Sequence, residues 1–276
     1  MKPAAFEYVA PTSVDEAIAA LAEHGDDAKV LAGGQSLIPL LSLRLARPTA
    51  LVDLNGVDEL QHVSVNGSVR IGAMTRHRDV ERSAEIAAAV PLLAEAVPYI
   101  GHAAIRTRGT IGGSLAHADP AAELPAVALA LDATFTARSR SATRTINASE
   151  FFDGYFTTTL APDEVLTDIT FPTAPPGTKV SVQEMARRHG DFAMVAVVAQ
   201  RAPDGDMRLA LVNVADKPYR ATEAEAAARA GADADEIADL ATRDLEPASD
   251  LHATSEYRTH VARVLVRRAL TELKDA

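Results

Sequence analysis

Two glycine pairs, far apart in the chain, share one pattern and restrict how the backbone around them can run. Each follows an apolar approach and leads into a serine: Ala32-Gly33-Gly34-Gln35-Ser36-Leu37 and Thr110-Ile111-Gly112-Gly113-Ser114-Leu115. Without a Cβ, such a stretch can come close to a ligand and turn its N–H groups inward. Successive inward N–H groups make a nest for an anion, and a serine hydroxyl adds one more donor. One nest suits a phosphate. Two, from separate parts of a chain, suit a pyrophosphate held from both sides. A single Gly-Gly is more often a simple turn, so it is the matching form of the two that points to a ligand. Neither is a G-x-G-x-x-G fingerprint or a G-x-x-x-x-G-K-[ST] loop, which lowers a nicotinamide-binding Rossmann domain and a nucleotide triphosphatase in rank.

The segments around these pairs alternate between helix and strand. Ser13 followed by Glu16 has capping-box spacing, and Val14, Ala17, Ile18, Leu21 and Ala22 form one apolar helical face that Gly25 ends. Lys29 to Ala32 reads as a strand, Pro39 to Leu45 as a helix, and Leu51 to Leu54 as a strand. His62 to Ile71 reads as a hairpin over Asn66-Gly67. A two-residue loop would set its apolar pairs on different faces, so parity selects a three-residue loop with Val65 opposite Val69. Helix is expected from about Val80 to Val97 with an interruption at Pro91. Gly112, Gly113 and Pro120 punctuate the next region, before an apolar run from Leu124 to Leu131. Val165 to Phe171 reads as a strand, and Pro172-Thr173-Ala174-Pro175-Pro176-Gly177 then breaks the chain at a domain boundary. Beyond it, Met194 to Ala199 and Leu209 to Val214 read as buried strands around a Pro203-Asp204-Gly205 turn. Helical patterns follow at Ala221 to Ala230, Asp233 to Thr242 and Ser255 to Leu273, the last with a stripe broad enough for two neighbours.

Composition narrows the chemistry. None of the 276 residues is cysteine, which removes disulfides, thiolate zinc sites and iron–sulfur clusters held by this chain. A net charge of −11 argues against a nucleic-acid-binding protein or a basic membrane-surface protein. The N-terminus lacks the shape of a signal peptide, and no segment approaches the roughly 20 apolar residues of a membrane span. A cytoplasmic protein is expected.

Ala32 to Leu37 with Ile38-Pro39, and above all Arg108-Gly109-Thr110-Ile111-Gly112-Gly113-Ser114-Leu115-Ala116-His117-Ala118-Asp119-Pro120-Ala121-Ala122-Glu123-Leu124-Pro125, resemble the two FAD loops of the carbon monoxide dehydrogenase medium-subunit family. Ile71-Gly72-Ala73-Met74-Thr75, Pro162-Asp163-Glu164-Val165-Leu166 and Arg187-Arg188-His189-Gly190-Asp191-Phe192-Ala193 resemble it as well, in the family's order and over almost the whole chain. The resemblance implies an α+β protein. It would have two FAD-binding subdomains of the vanillyl-alcohol oxidase (PCMH-like) type, 1–57 and 58–175. A C-terminal α+β domain, 176–276, would carry a small antiparallel sheet and a helical bundle. It further implies that Ala32, Gly33, Gly34, Gln35, Ser36 and Leu37, with Thr110, Ile111, Gly112, Gly113 and Ser114, hold the FAD pyrophosphate by backbone N–H groups and hydroxyls. Glu123 takes the place of an acidic residue bonding the adenosine ribose. Leu166 and Ile100 are placed near flavin or adenine, and Asp191 and Phe192 on a loop bordering the isoalloxazine. By the same resemblance FAD is noncovalent. Molybdopterin and [2Fe–2S] clusters belong to a large and a small partner subunit, in a dimer of heterotrimers, and electrons pass from molybdenum through the clusters to FAD and an external acceptor. No catalytic acid, base or metal ligand is expected here, and the substrate is chosen on the large subunit.

Two other readings of the same residues compete with this one. A stand-alone flavin reductase on this fold, like the enolpyruvyl-glucosamine reductases, would need a catalytic donor and substrate pocket that the sequence does not display. A flavin-free bridging subunit would have no use for two intact glycine stretches. His117, Asp119 and Glu123 can be drawn as a metal site, but turn-stabilising hydrogen bonds beside Pro120 are the expected use. His77 and His102 are expected to be structural or on the surface. Arg106 and Arg108, flanking the second stretch, are assigned to steering the pyrophosphate, to a partner, or to solvent. Gly113→Val is expected to lower FAD occupancy with the fold intact.

Overall fold

A computed structural model describes residues 1–275. The first part is a small parallel sheet covered by one helix. Strand β1 (Glu7–Val9) leads to helix α1 (Val14–His24), then β2 (Ala28–Leu31), helix α2 (Leu37–Ser42) and β3 (Ala50–Asp53), in the sheet order β1-β3-β2. Ser13 caps α1 by accepting from the Glu16 N–H. The Glu16 carboxylate reaches one residue further back than capping-box spacing implies, to the Thr12 N–H and hydroxyl. Val14, Ala17, Ile18 and Leu21 are buried with Ala50 and Val52 of β3 in one core, so most of the expected face packs, whereas Ala22 at its edge is exposed.

The middle part is built on a five-stranded antiparallel sheet. Strands β4 (Val63–Val65) and β5 (Ser68–Gly72) form the hairpin, with Val65 opposite Val69 as parity required. Helices α3 (His77–Arg82), α4 (Ala84–Ala89), α5 (Pro91–Ala96), α6 (Ala103–Arg106), α7 (Ile111–His117) and α8 (Glu123–Ala130) then run before β6 (Thr134–Arg138) and β7 (Thr143–Asn147). Helix α9 (Ala148–Phe151) and a minor hairpin, β8 (Phe152–Gly154) with β9 (Thr157–Thr158), precede β10 (Val165–Pro172). The sheet order is β4-β5-β10-β6-β7, which puts β10 at the centre.

Two expectations need correction here. The helical stretch from Val80 to Val97 breaks twice. Pro91 opens α5 as foreseen, but Ser83 also stops one helix and caps the next, its hydroxyl accepting from the Ile86 N–H. The second glycine pair lies in the first turn of α7 rather than in a loop, with Thr110 as its cap. The sequence reading had also assigned nothing to the β6–β7 hairpin.

The last part has strands β11 (Lys179–Met185), β12 (Val195–Arg201), β13 (Met207–Val212) and the short β14 (Tyr219–Arg220), in sequential antiparallel order. Helices α10 (Thr222–Arg229), α11 (Ala234–Thr242) and α12 (Ser255–Asp275) follow. Successive strand residues face opposite sides, and β12 shows what that does. Val195, Val197 and Ala199 pack under the C-terminal helices, whereas Ala196 and Val198 join the core of the middle part. Apolar packing therefore crosses the proline-rich break. No helix of the described residues is long and apolar enough to cross a membrane.

Candidate functional site

After β2 the chain must turn to enter α2, and the two glycines of the first pair serve this differently. Gly34 makes the turn at φ +74°, where a side chain is strained. Gly33 lies outside the left-handed region but has no space: a Cβ there would sit 2.3 Å from the Arg108 carbonyl oxygen and 2.8 Å from Gly109 Cα. On the other side, a Cβ on Gly113 would meet Thr110 Oγ1 at 2.6 Å and Ala32 Cβ at 3.2 Å. The two glycine stretches thus lie against one another.

Arg76 holds this junction. Its Nη1 donates to the Arg108 carbonyl at 2.6 Å and its Nη2 to Asn55 Oδ1 at 2.7 Å, while Asn55 Nδ2 donates to the Ala32 carbonyl at 2.9 Å. Both acceptors of Arg76 are neutral. Burial, followed by the nearby Arg108 charge, lowers its pKa, against the pull of Asp79 and Asp53. A half-buried cation without a carboxylate partner among the described residues therefore stands beside Gly33. Nothing in local spacing marked it, because its two partners come from two separate segments, one about twenty and one about thirty residues away.

The N–H groups of the two stretches have different fates. In the first, those of Gly33, Gly34, Gln35, Ser36 and Leu37 find no acceptor among the described residues; Gln35 only folds its amide back on the Gly33 carbonyl. This is an open nest. In the second, Ile111 donates to the Thr75 carbonyl, Gly112 to Ala73, Gly113 to Thr110 Oγ1 and Ser114 to the Thr110 carbonyl. The expectation that this stretch offers backbone N–H groups is thereby corrected for Ile111 to Ser114: carbonyls of another segment take two of them, the Thr110 hydroxyl a third, and a helical bond the fourth. Ile111 and Gly112 are buried, and Gly112 is required because a Cβ would lie 2.5 Å from that of Ala73. What remains available from this stretch is hydroxyl chemistry, at Thr110 and Ser114.

The remaining predicted residues have separate settings in the fold. Ile100 is half-buried, and the next residues, Gly101 and His102, pack against the loop of Asp191 and Phe192: a Cβ on Gly190 would meet His102 Nδ1 at 2.6 Å. Phe192 is exposed, and Asp191 accepts from Arg188. Leu166 points into the middle core and is almost completely buried, so little of its side chain is open to a ligand. Glu123, the first residue of α8, is only 5 % exposed. Burial pushes its carboxyl up to about 8, with Glu184 and Asp119 adding to the rise. Glu184 on β11, which the sequence reading did not single out, is itself raised to about 7 by burial, and its Oε2 has no partner.

The flanking candidates resolve individually. Arg106 is not free to steer a ligand. Its Nε and Nη2 make a two-pronged pair with Glu81 at 3.0 Å each, and its Nη1 donates to the carbonyls of Pro98, Ile100 and Gly101. It shapes the loop that carries Ile100. Arg106→Lys should keep the charge, lose the fork, and destabilise the chain by ~2 kcal/mol in chemical denaturation. Arg108 is exposed, its carbonyl rather than its side chain forming the junction. Asp119 accepts from the Ala121 N–H, the turn bond expected of it, and the His117 ring lies 5.2 Å from that of Phe156. His77 is buried, the structural alternative of the two expected for it, and its Nε2 lies 3.1 Å from Ser114 Oγ, a partner that lies far off in sequence.

An open nest beside a guanidinium that has no carboxylate partner among the described residues, at the seam of a parallel and an antiparallel sheet, is chemically suited to an anionic group. The comparisons specify which kind. Residues 4–174 match the family described as the FAD binding domain in molybdopterin dehydrogenase, and residues 180–273 the CO dehydrogenase flavoprotein C-terminal domain. The carbon monoxide dehydrogenase medium chain of Hydrogenophaga pseudoflava is 40 % identical over 98 % of this chain and 97 % of its own. The 6-hydroxypseudooxynicotine dehydrogenase complex subunit alpha of Paenarthrobacter nicotinovorans is 39 % identical over 99 % and 95 %. The solved carbon monoxide dehydrogenase from Hydrogenophaga pseudoflava superimposes with a TM-score of 0.96 at 40 % identity, covering 100 % of this chain and 99 % of that one. The chain belongs to the FAD-binding medium subunits of the molybdenum hydroxylases. It is an oxidoreductase subunit whose cofactor is FAD, and its relatives bear the names of subunits of multi-subunit complexes.

Proposed function

We propose that this subunit binds FAD noncovalently, with the pyrophosphate seated on the free N–H groups of Gly33 to Leu37. The row of five N–H donors without an acceptor among the described residues, beside Arg76, carries the reading: Gly33 is buried and the other four are partly exposed, so together they form a cradle that an anion can enter and fill. Such dipoles and one local cation let a protein of net charge −11 hold a dianion. The Thr110 and Ser114 hydroxyls approach from the other side. Glu123 accepts or shares a ribose hydroxyl, and Ile100 with Asp191 and Phe192 borders the rings. Residues 1–57 and 58–175 form the FAD-binding subdomains and 176–276 the C-terminal domain, in a cytoplasmic complex. Bound FAD supplies the exchange of electrons between partner centres and an external acceptor. This chain's residues bind the dinucleotide, orient it and shield it.

The partners in this reading are a small [2Fe–2S] subunit and a large molybdopterin subunit, assembled as a dimer of heterotrimers. The substrate is set outside this chain: caffeine dehydrogenase subunit beta of Pseudomonas sp. is 40 % identical to it, on a par with the carbon monoxide and 6-hydroxypseudooxynicotine relatives, despite three different substrate names. The visible spectrum of the purified chain tests the cofactor. After addition of FAD and removal of the unbound flavin by gel filtration, flavin absorption should remain with the chain, and its absence would favour a bridging subunit. Copurification with iron–sulfur and molybdenum chains would set the proposal apart from a stand-alone reductase. Gly113→Val should weaken FAD binding by roughly tenfold or more. Because the added group meets the Thr110 cap and Ala32, it should also lower the unfolding temperature, which revises the expectation of an undisturbed fold.

A further inference from the structure

His77 is the first residue of α3, and only 2 % of it is exposed. Its backbone N–H donates to the Gly109 carbonyl, which ties its main chain to the segment just before the second glycine stretch. Burial pushes the imidazole down to about 4 against the raising effect of a backbone hydrogen bond at Thr110, the residue that caps the helix of Ser114, and the Arg106 and Arg76 charges act in the same direction as burial. The ring is therefore neutral near pH 7 and carries one N–H.

Two features decide which nitrogen has it. Nδ1 has no hydrogen-bond partner, and orphaned buried N–H groups are rarer than orphaned acceptors. A Cβ on Gly109 would stand 2.7 Å from Nδ1, so a Gly109 Cα–H faces that nitrogen. A C–H directed at a bare lone pair is weakly attractive, whereas one directed at an N–H is repulsive. Both features place the proton on Nε2, which lies 3.1 Å from Ser114 Oγ.

A serine hydroxyl has one proton to give and two lone pairs to accept with. We propose that His77 is a positioning residue for the dinucleotide: its Nε2–H donates to Ser114 Oγ, so that the Ser114 hydroxyl proton points away from the protein and is offered to a pyrophosphate oxygen. The inference rests on the FAD reading above. With the other tautomer, Ser114 would spend its proton on His77 and present only lone pairs to an anion. The arrangement also gives a reason for Gly109, since any side chain there would push the ring off Ser114.

The experiment uses the full chain and measures FAD affinity by quenching of flavin fluorescence. Ser114→Ala and His77→Leu should each weaken FAD about tenfold, and the double variant no more than either alone. His77→Gln, whose amide can still donate to Ser114, should remain within about threefold of the unsubstituted chain. Independent effects that multiply in the double variant, or a Gln variant as weak as the Leu one, overturn the role of His77. If Ser114→Ala leaves FAD affinity unchanged, the placement of Ser114 on the pyrophosphate falls, and this inference falls with it. Histidine-selective 15N NMR of the FAD-free chain reads the tautomer without any substitution. A protonated Nε2 with a bare Nδ1 is expected for His77, and the reverse overturns the proposal even should His77→Leu fail to fold.

Discussion

Gly33→Ala should abolish stoichiometric FAD binding, although it adds only one methyl group at a position with no need of a left-handed conformation. The added Cβ would stand 2.3 Å from the Arg108 carbonyl oxygen and 2.8 Å from Gly109 Cα, and both of these atoms are main chain. Main chain held at both ends cannot swing aside like the tip of a long side chain, so the two glycine stretches must separate. That movement pulls on the Arg76 bonds to Arg108 and Asn55 and takes the open N–H groups away from the Ser114 side. Overpacking of this kind costs roughly 1–3 kcal/mol of stability. Loss of two charge-assisted bonds to the pyrophosphate, at ~1.5 kcal/mol or more each, corresponds to at least about a hundredfold in affinity. Flavin absorbance per chain after gel filtration, together with a fluorescence titration, reads both. Wild-type FAD content in the alanine variant would refute the claim that this seam is the pyrophosphate site.

Glu123→Gln should make the FAD-free chain more stable, and increasingly so as pH rises. In the fold, burial holds the Glu123 proton up to about 8, while in the unfolded chain the group ionises near its ordinary 4.5. Between those values the unfolded state binds fewer protons, so the wild-type chain loses stability as pH climbs through the window. The glutamine variant does not titrate there. Its advantage should grow by ~3 kcal/mol from pH 5 to pH 8 and level off above, since both states are then ionised. Urea denaturation at the two pH values measures it, and a difference that does not vary with pH would mean that Glu123 is ordinarily ionised in the fold. The same variant should bind FAD less well, because an uncomfortable carboxyl kept at a binding site sacrifices stability for a ligand contact. Glu184, raised to about 7 and with Oε2 unpartnered, should contribute a smaller trend of the same sign.

Much of this site was legible as residue types. The glycine stretches stood out because glycine is the one residue that allows both the turn at Gly34 and the contact at Gly33. The Val65–Val69 pairing followed from strand parity, and the α1 face from helical periodicity. What was illegible had a common cause. Whether an N–H group is free depends on whether a carbonyl from elsewhere reaches it, and the Thr75 and Ala73 carbonyls that take the Ile111 and Gly112 protons arrive from another segment. Arg76, His77 and Glu184 escaped for the same reason, each being defined by neighbours remote in sequence. Steering of the pyrophosphate, one of the three uses open to Arg106, is denied to it because Glu81 and three carbonyls surround it.

By itself the order of residues determined the local conformations, the absence of thiol chemistry and the pair of stretches able to approach an anion. These depend on side-chain size, periodicity and composition, which are properties of short segments. Only the tertiary structure decided that the stretches meet, that one is an open nest while the other has closed into a helix, and that a buried imidazole stands behind Ser114. Hydrogen-bond capacity is finite, and which groups still have some to offer a ligand is known only after every contact of the fold has taken its share.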